Sequence, residues 1–498
     1  MDCTGEIARP RIACTVASRP NFERPKMTTG NKAVFTTGSI MRHVSVSSFT
    51  ASIGLMAIYA VDLIDLIFIS MLGYEVLAAA AGYASALMFF TSAINIGLSV
   101  AAGVLVSRSI GEGDKLEARE FATSTALLVT LTGIVVPLIL LLNIDFFVGL
   151  LGAEGEVAEL AATYLWIILP FTWVSGLSMV AVATLRCHGE NRMAMYPSLF
   201  GAITNAVLDP ILIFGLAMGM EGAAWATVAA RFVTLGCAFY PAIRRHNAFV
   251  YPKIRLLWRD LRTVSHFAVR AVLANVATPI GTAIVTREMS KFGPEAVAGM
   301  AVIGRLTPVA FSVIWALSGA IGPIIGQNFG AGHMDRVKRA YVDALKFVAI
   351  YVVFVTLILL VFRGPIAALF GAENLTKSLI FLYCFPLALA SFFNGAVFVA
   401  SASFNTLGRP SYSTWLSWAQ NTLGTWPFVL AGGVLLGAQG VLIGQALGSV
   451  FFASIAMWLG WRLIKNPPEN TIKHRYHHPL FGHGNLISHT LNKHTGDR

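Results

Sequence analysis

Four acidic residues stand in stretches otherwise apolar enough to cross a bilayer. They are Asp62 and Asp65 in "YAVDLIDLIFISMLG", Asp209 in "TNAVLDPILIF", and Glu288 near the end of a later run. A charged side chain near the middle of a membrane is costly, so such residues face a polar interior and mark an ion or substrate path, or serve as hydrogen-bonded structural acids. Asn205 and Asp209 stand four residues apart and share one helix face, while Pro210 leaves a nearby backbone carbonyl without its donor. The result is a compact, oxygen-rich spot. Burial and a neighbouring carboxylate both disfavour the ionised form, so an acid in such a place can take up a proton at ordinary pH, or bind a cation when ionised. Asp62, one turn before Asp65, lies toward the same path or toward a helix contact. Glu288, between Arg287 and Lys291 at a span end, reads as an interfacial ion pair.

The elements that must hold these acids are membrane helices. Of 498 residues 56% are hydrophobic and 12% charged, with a mean hydropathy of +0.69, whereas soluble domains carry about a quarter charged residues. A soluble globular fold is excluded. Apolar runs of spanning length fall near 46–72, 76–107, 122–144, 157–186, 192–217, 222–243, 264–291, 296–327, 339–362, 375–405, 411–436 and 440–463. Twelve transmembrane helices are expected in an all-α integral membrane fold.

The net charge of +11 gathers in short loops and the tail, which points to membrane topology and away from nucleic acid. Arg244, Arg245, Lys253, Arg255, Arg259, Arg262 and Arg270 follow the sixth run. Arg108, Lys115, Arg119, Arg186, Arg192, Arg336, Lys338, Arg339 and Arg409 fall on the same side, cytoplasmic by the positive-inside rule. Both termini are then cytoplasmic. The first 26 residues lack the apolar core of a secretory signal, and Met27 is an alternative start. Residues 1–38 are expected to be a disordered basic tail, 39–243 a first lobe of six spans, 244–263 a cytoplasmic linker, 264–464 a second lobe of six, and 465–498 a histidine-rich tail.

The halves repeat. "LSVAAGVLVSRSIGEGDKLEARE" from Leu98 lines up with "LSGAIGPIIGQNFGAGHMDRVKR" from Leu317, a displacement of 219 residues that also pairs Gly189 with Gly408. Copies of six helices each enter and leave on one face, so the two are parallel, related by an axis along the membrane normal. At that displacement Asp65 falls near Val285 and Asp209 near Phe428, so the acids are an asymmetric addition to a symmetric scaffold. Duplicated bundles around a midplane cavity are the plan of alternating-access transporters. Mid-span Pro170, Pro279, Pro386 and Pro427 mark places to bend.

The patterns "DLIFISMLG", "GVLVSRSIGEGD" and "LRCHGENRMAMYPSLFGAITNAVLDP" resemble the multidrug and toxic compound extrusion (MATE) family, over roughly Phe35 to Lys465. That resemblance implies two lobes around a V-shaped cavity and export of amphiphilic, often cationic, compounds by antiport with protons or sodium ions. In the DinF-like branch the coupling site maps onto Asp65, Asn205 and Asp209, with Tyr164 and Thr227 completing the network and Asp62 beside it. The branch also has a fourth-helix asparagine, which this chain lacks between Glu156 and Glu190. Where the NorM-like branch places acids in the second half, this chain has Asn275, Thr278 and Asn394.

The expectation is therefore a proton-coupled multidrug exporter of the bacterial inner membrane, not an enzyme, working as a monomer on small amphiphiles, with no cofactor beyond the coupling ion. Sodium coupling is the near alternative. A flippase for lipid-linked or polysaccharide precursors is disfavoured because the charge within the spans reads as acidic, and a non-transporting receptor or scaffold because no sensor domain is evident. The five cysteines show no paired spacing, and tail histidines His474, His477, His478, His483, His489 and His494 are too irregular for a metal site. Phe89, Phe90, Trp166, Trp173, Trp315 and Trp415 read as packing or interfacial aromatics.

Overall fold

The computed structural model describes residues 33–71, 75–251 and 254–467, and every regular element among them is helical. The first half contains α1 (Ile40–Met71), α2 (Glu75–Glu112), α3 (Lys115–Leu142), the short α4 (Ile144–Leu150), α5 (Gly155–Ile168), α6 (Thr172–Cys187), α7 (Asn191–Pro210) and α8 (Gly219–Arg244). The second half contains α9 (Ile254–Ser290), α10 (Pro294–Ala310), α11 (Ser312–Gly330), α12 (Met334–Leu369), α13 (Asn374–Cys384), α14 (Ser391–Thr406), α15 (Pro410–Asn421) and α16 (Trp426–Lys465).

Among the described residues ten helical runs are long and apolar enough to cross a membrane, and the pair α10 and α11, bent by 50°, supplies another crossing. One of the ten, Pro410–Lys465, is 56 residues long. At about 1.5 Å per residue a straight helix of that length would far exceed a bilayer. It does not run straight. Gly437 takes φ +61° and ψ −145° inside α16, and beyond it the chain packs back on itself. Gly440 lies against Gly432, Gly444 against Phe428 and Gly448 against Gly424, each so closely that a Cβ would clash. Glycine at these positions lets the two arms close into a hairpin, and the count of crossings becomes twelve.

The duplication is visible in the backbone. Gly113 and Gly332, 219 residues apart, adopt φ of +84° and +76°; Gly189 and Gly408 adopt +79° and +85°. Both pairs sit just past a helix end, where a left-handed residue stops the helix and only glycine enters that region freely. Matching 3-10 turns, Leu169–Phe171 and Leu387–Ala390, interrupt the fourth and tenth spans beside Pro170 and Pro386. Pro279 by contrast lies within continuous α9, and Pro427 stands at the start of α16, where its missing N–H is no loss.

The start of each half's first helix packs into the opposite half. Phe35, Ile40 and Val44, at the start of the first half, are buried in the core built by α11, α12, α14 and α16. Leu257, Val264, Phe267 and Ala268, at the start of α9, are buried with α2, α3 and α6 of the first half. Close packing of these side chains across the boundary, the main force between helices in a bilayer, ties the lobes together. Polar contacts reinforce one of these crossovers: Ser124 Oγ donates to Asp260 at 2.6 Å, and Arg259 bridges Asp260 and Glu120, each at 2.7 Å.

Residues 33–38, expected to belong to a disordered tail, are instead anchored. They include a 3-10 turn, Val34–Thr36, with Phe35 only 2% exposed. Arg336 donates to the carbonyls of Phe35, Thr37 and Gly38. Expected as a loop charge, Arg336 is by these hydrogen bonds also a structural clamp.

Candidate functional site

The expected site residues are dispersed over α1, α5, α7 and α8. Asp62 and Asp65 lie on α1, but their side chains fall outside the described residues. Asn205 and Asp209 lie on α7, are 8% and 1% exposed, and meet: Nδ2 of Asn205 donates to Oδ2 of Asp209. Immediately after Pro210 the helix widens into a π turn, Ile211–Gly215. Such turns leave irregular backbone carbonyls inside a span and recur at functional sites.

Helices α7 and α8 pack antiparallel, with Gly201 against Thr234 and Gly222 against Leu212 and Ile213. That register sets Thr227 level with Asp209. The Thr227 hydroxyl donates to the Ala223 carbonyl of its own helix at 3.0 Å, so it shares the depth of the pair while being satisfied locally. Tyr164, on α5, packs against Ile168, Ala224 and Val228 and lies within electrostatic range of Arg231.

Arg231 is a residue that a search for acids passes over. It sits in the middle of α8, and its Nη1 donates to the Ile168 carbonyl at 3.0 Å, capping the chain where the fourth span breaks. Its signal in the sequence is a single cation within an apolar run. Glu288 and Lys291 form the ion pair expected of them, at 2.6 Å.

A cavity of about 690 Å³ lies between the halves, walled mainly by the second. Repeat-related pairs face it from both sides: Ser99 and Gly103 on α2, Ser318 and Gly322 on α11. Its wall is rich in neutral amides, with Asn275, Asn394, Gln420 and Gln445 contributing, and no described lining residue is acidic. Helix α7 contributes none of that lining, so the Asn205–Asp209 pair and the cavity are separate places. Two expectations change. Trp315, expected as a packing aromatic, lines the cavity with its ring 5.4 Å from that of Phe398. Arg186, expected as a loop charge, also lines it, so the charge within the spans is not simply acidic.

One end of the cavity is closed by direct packing of α2 on α11. Ser107 fills the space beside Gly326, the Gln327 backbone lies against Gly111, and the Arg108 backbone lies against Gly330. Arg108, 5% exposed, stacks its guanidinium over Phe329 at 4.8 Å. Gln327, fully buried, accepts from the Phe35 N–H at 2.9 Å and donates to the Cys187 carbonyl at 2.6 Å. A single side chain thus joins the N-terminal turn, α6 and α11.

A family model described as MatE matches residues 51–211 and 271–428, one stretch in each half. The chain belongs to the MATE family. Members of this family are multi-pass membrane transporters that act on small molecules, and the sequence resemblance holds on that point. Among curated relatives, a protein named FAD transporter from Shewanella oneidensis is 28% identical over 440 residues, covering 86% of this chain and 95% of that one. A probable multidrug resistance protein NorM from Thermotoga maritima is 26% identical over 395 residues, covering 76% and 82%. Among solved structures, a single-residue mutant of the Vibrio cholerae MATE transporter VcmN superimposes with a TM-score of 0.81 at 23% identity, over 85% of this chain and 96% of that one. That likeness shows a MATE fold.

Proposed function

We propose that this MATE transporter exports small amphiphilic compounds by antiport, with Asp209 and Asp65 taking up the coupling proton and Asn205 holding Asp209 by a hydrogen bond. The observation that carries the reading is a carboxylate, Asp209, held almost fully buried by an amide partner in an apolar span of a doubled bundle whose central cavity is sealed at one end. Helix α1 packs along α7, which brings the span of Asp65 beside that of Asp209. Two carboxylates in one apolar place titrate as a unit, and a change in their charge alters the contacts between α1 and α7. Because α1 also packs into the opposite half, such a change is passed across the lobes and shifts the balance between access states.

By the positive-inside rule the sealed end faces the cytoplasm of a bacterial inner membrane, so the form seen is closed inward. A monomer contains both lobes and the whole cavity. Relatives named for multidrug resistance and for FAD transport support drugs and FAD as candidate substrates. The test is efflux of a fluorescent compound from proteoliposomes under a pH gradient and, separately, a sodium gradient. Asp209→Asn and Asp65→Asn should each insert normally yet abolish pH-driven efflux, with a smaller loss from Asp62→Asn and near-normal rates from Glu288→Gln. Wild-type pumping by both single mutants would refute the coupling site, and pumping driven by sodium alone would change the ion.

A further inference from the structure

We propose that the cavity binds an anion: a planar, hydrogen-bonding amphiphile whose phosphate or carboxylate group is taken by Arg186, with Asn405 completing the cradle. This deepens the transporter reading, on which it rests, by naming the substrate class, and it departs from the cationic substrates that the resemblance implies.

Arg186 stands at the end of α6 and lines the cavity. Its Nε is buried without a hydrogen-bond partner, and no carboxylate pairs with it among the described residues. The guanidinium is held in place by packing: its Nη1 occupies the space that a side chain on Gly319 would take. Gly319 and its neighbour one turn on, Gly322, both line the cavity, so α11 is hollowed where the arginine reaches over it. A cation without a counter-charge is unfavourable in a place of low dielectric, and a bound anion relieves it.

The repeat supplies the second element. Asn405 stands 219 residues after Arg186, at the equivalent position of α14, and it too lines the cavity. Its Oδ1 is likewise buried with no partner. The pseudo-symmetry therefore delivers a fixed cation from one half and a carboxamide from the other to the same level of the cavity. A carboxamide turned over presents its Nδ2 donors, which are nearly indistinguishable in shape from the oxygen. Arginine stays charged and its planar fork matches phosphate and carboxylate oxygens two at a time.

The remaining wall agrees with this chemistry. An organic cation finds no carboxylate on the described lining, whereas Asn275, Asn394, Gln420 and Gln445 offer donors and acceptors to the polar edge of a ring, and Trp315 with Phe398 offers an aromatic face. The volume of about 690 Å³ falls within the range of pockets for molecules of drug or cofactor size.

The test compares two ligands that differ only in the anion. Flavin mononucleotide and riboflavin share one ring system, and their fluorescence quenching can be followed on the purified full chain in nanodiscs, with ethidium as a planar cation. Flavin mononucleotide should bind about 10- to 100-fold more tightly than riboflavin, the range expected for a charge-assisted contact. Arg186→Gln should bring it down to the riboflavin level, and Arg186→Lys should keep part of the preference. Gly319→Val, which displaces the guanidinium without removing it, provides an independent variant should Arg186→Gln misfold. Asn405→Ala should weaken the phosphate ligand more than riboflavin. Displacement of flavin mononucleotide by a short-chain isoprenyl phosphate would support the same anion site with a lipid as its source, and binding undisturbed by that lipid would support a water-soluble ligand. Equal affinities for the two flavins, a preference that survives both Arg186→Gln and Gly319→Val, or a preference for ethidium would overturn the proposal. None of those results touches ion-driven efflux and its loss in Asp209→Asn, so this inference can fail while the coupling reading stands.

Discussion

Replacing Gln327 should unlatch the closed end of the transporter. Its side chain is fully buried and holds two backbone groups of other segments, the Phe35 N–H and the Cys187 carbonyl, at 2.9 and 2.6 Å. In Gln327→Ala both groups are left buried and unsatisfied, each disfavouring the closed form by about 1–3 kcal/mol. Opening lets water reach them. Taken together the two disfavour closure by about 2–6 kcal/mol, and the lower figure already raises the open fraction about 30-fold. Cys187 provides the assay, because its thiol is buried at that junction, with Sγ donating to the Gly103 carbonyl. With Cys3, Cys14, Cys237 and Cys384 changed to alanine, a membrane-permeable maleimide should label Cys187 slowly in the parent and at least ~10-fold faster in Gln327→Ala, allowing for partial relaxation of the orphaned groups. Labelling at the parent rate in Gln327→Ala, in protein of unchanged thermal stability, would refute the idea that this side chain holds the end shut.

Three further outcomes are expected. A cysteine placed in the Gly152 to Glu156 loop should react with an impermeant reagent in intact cells while one at Arg259 should not, and the reverse pattern would invert the orientation. The neighbouring pair His188 and His246, with ring centroids 4.6 Å apart and planes tilted by 39° beside Glu190, should make stability depend on pH. Burial, with His246 adding to it, pushes His188 down to about 4, and burial together with Arg245 outweighs Glu190 in lowering His246. Unfolded histidine takes its proton near pH ~6.5, so melting temperature should hold steady above that and fall as pH drops toward 4, and His188→Gln should flatten the fall. Finally, Gly448→Val should prevent the α16 hairpin from closing, because a Cβ there would run into the Gly424 carbonyl, and should sharply lower the yield of folded protein; Val434→Ala on the exposed face should not.

Composition and periodicity were enough to establish a membrane protein of twelve crossings in two parallel copies, because spanning length, loop charge and the 219-residue repeat are local or linear properties of the chain. The pairing of Asn205 with Asp209 was equally legible, since residues four apart on a helix share a face. What the sequence could not determine were relations between segments distant along it. Nothing in residues 33–44 or 257–268 announces that each first helix packs into the opposite half; that follows from which apolar faces fit together once all helices are present. Two separate spans, 411–436 and 440–463, were legible there, but the contact that closes them on each other, Gly448 against Gly424, appears only in the folded chain. Arg186 displays the same limit most sharply. In sequence it is one more basic residue near a loop, and the positive-inside count absorbs it without remainder. Its place over Gly319, in the wall of the cavity that its repeat partner Asn405 also lines, exists only in three dimensions, because whether a charge at a span end faces water, lipid or a shared cavity is decided by the helices packed around it.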